Sequence, residues 1–179
     1  MNIDEMLEAV KKNIAEIVVN PDKTVTLNNG TNPKPSNNKE GNGEGNMGVT
    51  LAMAKEIVFA VEEAARSMNL NVVTAVLNRG ANLVALEAMD NSYIASIQIA
   101  QDKAYTAVAL QMPTHVALEQ SRGGALDGLT NGEGILLLGG GEPLIKDGVL
   151  YGAVAVSGGT KDQDIVLAQI GAKIFELRN

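Results

Sequence analysis

His115 is the single histidine of the 179-residue chain, and there is no cysteine. A neutral imidazole is the strongest nitrogen donor that a side chain offers to a metal centre. Thiolate sites, Fe–S clusters and multi-histidine cages all need residues this chain lacks. Met112 and Thr114, in the run Met112-Pro113-Thr114-His115, and the tyrosines Tyr93, Tyr105 and Tyr151 are weaker donors of the same kind. The structural alternative for His115 is a surface or capping role at the helix start that Pro113-Thr114 marks. A second constellation carries charge. Glu87 and Asp90 bracket the end of a short apolar run, Lys103 lies within a long helical segment, and Arg79 stands in a turn. Together the four would line a polar pocket that holds a small anion or presents a carboxylate as general base. The same residues would serve equally as an ion-pair cluster fixing a hairpin on a helix.

Other motifs carry less. Ser157-Gly158-Gly159-Thr160 leads into a helix N-terminus, where backbone N–H groups bind phosphate. Asp162 and Asp164 already complement the dipole there and would repel an anion, so the Thr160/Gln163 pair reads as a capping box. Gly139-Gly140-Gly141 lacks the Lys-Ser/Thr of a P-loop and reads as a bend. No G-x-S-x-G elbow occurs, and one histidine gives no case for a serine triad.

Composition narrows the partners. Twenty-one acidic side chains against 14 basic give a net charge of −7, the wrong sign for tracking phosphates. Aromatics are 3% with no Trp, too few to stack bases. The N-terminus is acidic and amphipathic, and nowhere do about 18 apolar residues run together. These features predict a cytoplasmic protein with neither nucleic-acid nor membrane partners.

The elements that must position these residues follow from spacing. Ile3, Met6, Leu7, Val10, Ile14 and Ile17 form one apolar stripe, an amphipathic helix that is marginal alone. Residues 28–48 hold seven Asn, five Gly and two Pro and read as a flexible linker. The chain thus divides into an N-terminal helix element over 1–27, a linker over 28–48 and a domain over 49–179. In the domain, Thr50 caps a helix running to Met68. Val72–Leu77 and Leu83–Ala88 read as a hairpin. Tyr93–Gln111 reads as a long helix apolar over more than one face, and Thr114–Gln120 as a short one. Strands are expected at Ile135–Leu138, Pro143–Lys146 and Val149–Val156, with an Asp147-Gly148 turn, and a last helix runs to about Leu177. Hairpin-linked strands between helices predict an α+β fold with a five-stranded antiparallel sheet.

Three blocks carry a family resemblance: VVTAVLNRGANLVALEAMD at Val72–Asp90, SIQIAQDKAYTAVAL at Ser96–Leu110 and GGGEPLIKDGVLYGAVAVSGGTKDQD at Gly139–Asp164. In this order they resemble the GlcG/HbpS family, which includes the C-terminal domain of PduO proteins. The resemblance implies a profilin-like domain that forms homo-oligomers, often octamers, and binds haem or a related tetrapyrrole. His115 would then be the axial ligand, with Met112, Thr114 or a tyrosine as alternatives. It also implies a role accessory to B12-dependent diol metabolism, with residues 3–18 resembling the peptides that dock cargo on bacterial microcompartment shells. The resemblance does not reach the adenosyltransferase domain of full-length PduO, so that activity is not expected from these residues. The family's first turn is commonly built of small residues where this chain has Arg79, so any ligand site on that turn would differ in specificity.

Overall fold

The computed structural model describes Glu5, Glu8, residues 48–129 and residues 132–178. Glu5 and Glu8 are helical and exposed. The rest of the expected N-terminal helix, and the linker up to Met47, lie outside the described residues. The domain runs α1 (Leu51–Ser67), β1 (Val73–Asn78), β2 (Leu83–Ala88), α2 (Ile94–Leu110), α3 (Thr114–Gln120), β3 (Gly141–Lys146), β4 (Val149–Ser157) and α4 (Lys161–Arg178). The four strands form one antiparallel sheet in the order β2-β1-β4-β3.

The sheet separates two apolar layers, and the alternation of its central strands decides which residue enters which. Val72, Val76, Val154 and Val156 face α1 and α4, where Ile57, Val61, Leu167, Ile170 and Phe175 are buried. Large branched side chains fill that layer, each worth about 1.5–3 kcal/mol when removed from water. The alternate residues Val73, Ala75, Ala153 and Ala155 face Ala100, Ala104 and Ala107 of α2. Small faces small here, so α2 lies close against the sheet.

Local signals set the boundaries. The Thr50 hydroxyl accepts from the Met53 N–H at 3.2 Å to cap α1. Thr160 and Gln163 exchange side-chain-to-backbone hydrogen bonds at 2.9 and 3.3 Å, the reciprocal capping box of α4. Asp147 and Gly148 both have positive φ, 51° and 75°, as a two-residue type I′ hairpin requires.

The sheet has four strands where the sequence predicts five. Ile135–Leu138 is irregular and joins no strand, and its Leu138 N–H turns back on the Leu136 carbonyl at 3.0 Å. Its polar backbone is instead served by helix side chains. The Leu136 N–H donates to Thr106 Oγ1 at 2.8 Å, and the Leu138 carbonyl accepts from the Thr114 hydroxyl at 2.7 Å. Satisfied in this way, the segment runs beside α2 and α3 as a strap rather than adding to the ladder. Among the described residues, no helix is long and apolar enough to cross a membrane.

Candidate functional site

The charged constellation does not assemble. Arg79 is exposed in the β1–β2 turn, beside Asn78. The Asn78 side chain accepts from the Gly80 and Asn82 N–H groups at 2.9 and 3.1 Å and so builds that turn. Val73, at the far end of β1, pairs with Ala88, so Glu87 and Asp90 sit at the opposite end of the hairpin, about 16 Å of strand away. Glu87 is exposed on edge strand β2, opposite Thr74. Asp90 lines a shallow depression of about 400 Å³ with Glu62, Arg66 and Asn71, but Arg66 is already tied to Glu62 and Glu63.

Lys103 is removed from all three. It is completely buried, and its ammonium donates to Asp164 Oδ2 at 2.8 Å and to the Val156 carbonyl at 2.9 Å. The other Asp164 oxygen accepts from the Gly159 N–H at 2.8 Å. Burial pushes the Lys103 ammonium down and the Asp164 carboxyl up, and the attraction between the two opposes both shifts. The chain passes this pair at Gly140, whose φ of +108° suits glycine and where a Cβ would lie 2.7 Å from that of Asp164. Ser157, the start of the glycine entry to α4, is buried and shares a 3.1 Å hydrogen bond with Ser96. Sequence reasoning missed Asp164 as the partner of Lys103. The signal was available: Lys103 lies three residues after Ala100 and four before Ala107, on the face of α2 that those alanines turn to the sheet.

The donors around His115 differ in their freedom. Thr114 is buried. Its hydroxyl donates to the Leu138 carbonyl and accepts from the Gly141 N–H at 2.9 Å, so both of its roles are taken. Met112 is half-buried just after Gln111, which ends α2 in the left-handed region at φ 53°. The Tyr151 ring packs against that of Phe175 in the α1/α4 layer, centroids 5.3 Å apart and planes tilted by 53°. Tyr93 is 72% exposed at the start of α2, and Tyr105 is 40% exposed. His115 itself, on the first turn of α3, has a side chain 26% exposed, yet its Nδ1 is buried and has no hydrogen-bond partner. Oε1 of Glu142 lies 3.5 Å from it.

Glu142 is the residue that sequence reasoning missed altogether. It stands on edge strand β3, paired with Val154, and only 9% of its side chain is exposed. Its Oε1 is also without a hydrogen-bond partner. Burial alone pushes its carboxyl up to about 7, so near neutral pH it is poised between acid and anion. Two unpartnered polar atoms thus face one another just beneath the surface. Among the described residues, no group of three or more His, Cys, Asp or Glu side chains could hold a bare metal ion. One imidazole nitrogen suffices for a prosthetic group that brings its own equatorial ligands, and the part-exposed His115 ring, with Nδ1 turned inward, fits that demand.

A groove of about 490 Å³ opens between the hairpin and α2, lined by Leu77, Leu83, Gln98, Asp102 and Tyr105. Beside it on the outer face of α2, Ile94 is 88% exposed and Ile97 39%.

Comparison with known proteins places this arrangement in context. An uncharacterised 15.0 kDa protein of the dhaT–dhaS intergenic region of Citrobacter freundii is 42% identical over 130 residues, which is 71% of this chain and 92% of that protein. The corrinoid adenosyltransferase PduO of Salmonella typhimurium is 32% identical over 118 residues, 64% of this chain but only 35% of PduO. A crystal structure of a PduOC:heme complex superimposes with a TM-score of 0.67 at 28% identity, covering 71% of this chain and 94% of that one. The family model for the haem-degrading protein HbpS-like group matches residues 49–173, and the chain therefore belongs to the GlcG/HbpS family.

Proposed function

We propose that the protein binds haem or a related tetrapyrrole through His115, within a homo-oligomer. The observation that carries this reading is the His115 ring, the chain's single imidazole, part-exposed at the surface while its Nδ1 is turned inward toward Glu142. The haem complex of a PduO domain of similar fold supports the choice of ligand. Bound haem would supply an iron with one axial position for the imidazole and with the redox and ligand-binding chemistry of the porphyrin. The chain's contribution is to hold the ring of His115 in place on α3, which Thr114 pins to the strap and to β3. Titration with haemin, followed at the Soret band, tests the reading. His115→Ala is expected to weaken binding at least tenfold, about 1.4 kcal/mol, and to move the band. An unchanged affinity and spectrum would remove His115 from the site and pass the role to Met112 or a tyrosine.

The outer face of α2 supports self-association. Ile94, Ile97 and Tyr105 lie exposed on α2, and Leu83 is exposed across the groove from Tyr105; a second copy covering them would remove apolar area from water. An octamer is the assembly we expect, and a monomer in light scattering at micromolar concentration would contradict it. Kinship with PduO suggests a role accessory to diol metabolism, with residues 3–18 docking on a microcompartment shell. Fusing residues 1–22 to a fluorescent protein beside shells tests that docking, and a diffuse signal would refute it.

A further inference from the structure

We propose that Glu142 is the positioning residue of His115: its buried carboxyl accepts the Nδ1 proton of the imidazole and so leaves the Nε2 lone pair to the ligand. The inference rests on the reading of His115 as the ligand-facing donor. It is carried by a mutual deficit. His115 Nδ1 and Glu142 Oε1 are both buried, neither has a hydrogen-bond partner, and they lie 3.5 Å apart. That separation is longer than a good hydrogen bond, which for N–H···O falls at about 2.7–3.2 Å. A few tenths of an ångström of side-chain rotation would close it. A buried polar group left unbonded is destabilising, and closing the gap satisfies both groups at once.

The direction of the bond follows from the inventory of the two groups. A neutral imidazole carries its proton on one nitrogen and a lone pair on the other, and the hydrogen bond made by one nitrogen decides which is which. Glu142 offers an acceptor oxygen whether ionised or protonated, whereas it offers a donor only when protonated. Acceptance from Nδ1–H is therefore available in both of its states. Metal-bound histidines are commonly oriented in this way, by a carboxylate or carbonyl behind the ring that fixes the tautomer and strengthens the ligand. The backbone here suits the task. Glu142 follows Gly141, whose N–H is held by Thr114 Oγ1, the residue just before His115, so the two chain segments are joined one residue away from the pair.

Because the chain has one histidine, its imidazole can be read directly. In ligand-free protein labelled with ¹⁵N-histidine at mildly alkaline pH, long-range ¹H–¹⁵N correlation is expected to show a protonated Nδ1 and an unprotonated Nε2. Glu142→Ala should shift the proton toward Nε2, and Glu142→Gln, whose amide oxygen also accepts, should restore the Nδ1–H form. In the haemin-loaded protein, Glu142→Ala should raise the iron reduction potential relative to wild type, with Glu142→Gln between the two. An Nε2–H tautomer in the wild type, or a tautomer indifferent to Glu142→Ala, would overturn the proposal. The expected tautomers combined with a Soret band indifferent to His115→Ala would leave the pair standing and refute only the haem reading.

Discussion

Lys103 and His115 each face a buried carboxyl, and the glycine run at 139–141 passes both pairs: a Cβ on Gly140 would meet Asp164 and Lys103, and Gly141 directly precedes Glu142. Lys103 donates to Asp164 and to the Val156 carbonyl, and Asp164 spends its second oxygen on the Gly159 N–H. His115 and Glu142 face each other at 3.5 Å with Nδ1 and Oε1 unbonded, and a quarter of the His115 side chain reaches the surface. One pair is closed upon itself and sealed beneath α2 and α4. The other is incomplete and open. A closed pair ties elements together, whereas an incomplete one at a surface has capacity left for something else. By that difference we assign Lys103–Asp164 to the framework and His115–Glu142 to the ligand.

The comparison can be broken most severely at the closed pair. Asp164→Ala strands a buried ammonium, and chemical denaturation should register a loss of about 3–5 kcal/mol. The double variant Lys103→Met with Asp164→Leu should recover most of that loss, because apolar replacement of a buried pair is often neutral or better. A single variant that stays near wild-type stability would show that the pair ties nothing together.

At the open pair the expected effect is a pH dependence. The Glu142 carboxyl is raised from 4.5 to about 7 in the folded protein. Between these values the folded state keeps a proton that the unfolded chain has released, so stability falls as pH rises through this window. The fall amounts to about 3 kcal/mol if the whole shift is expressed. In Glu142→Gln this component should vanish, leaving the variant more stable than wild type above pH 7. Stability curves that run parallel from acid to neutral pH would contradict the raised, buried state of the Glu142 carboxyl.

Thr114 sharpens the boundary between the two regions. Thr114→Val keeps the shape but orphans the Gly141 N–H and the Leu138 carbonyl, at an expected cost of about 2 kcal/mol. Haemin should still bind through His115, with an affinity changed less than by His115→Ala. A loss of binding as large as that of His115→Ala would move the ligand role toward Thr114.

Most of the framework was legible in the sequence because short-range physics decides it. The apolar spacing from Leu51 onward, the Thr160/Gln163 box and Asp147-Gly148 each specify their element without help from the rest of the chain. The strap at Ile135–Leu138 was not legible. Its composition is that of a strand, and the hydroxyls that hold its backbone to the helices, those of Thr106 and Thr114, lie 30 and 24 residues away. His115 stood out by being alone. Glu142 went unread because Gly139-Gly140-Gly141 drew attention as a loop, although period-two alternation puts Glu142 on the same side of β3 as the buried Leu144. The grouping of Arg79, Glu87, Asp90 and Lys103 failed because charge was read without its face of the helix or its end of the hairpin.

The central claim is that the lone imidazole is the ligand-facing donor, and hyperfine spectroscopy addresses it without any substitution. Protein labelled with ¹⁵N only in histidine, loaded with ferric haem, contains no ¹⁵N outside His115. The account predicts a directly coordinated ¹⁵N nucleus with strong coupling to the iron, in addition to the ¹⁴N couplings of the porphyrin. A haem-loaded protein whose spectrum holds only porphyrin ¹⁴N couplings would contradict it.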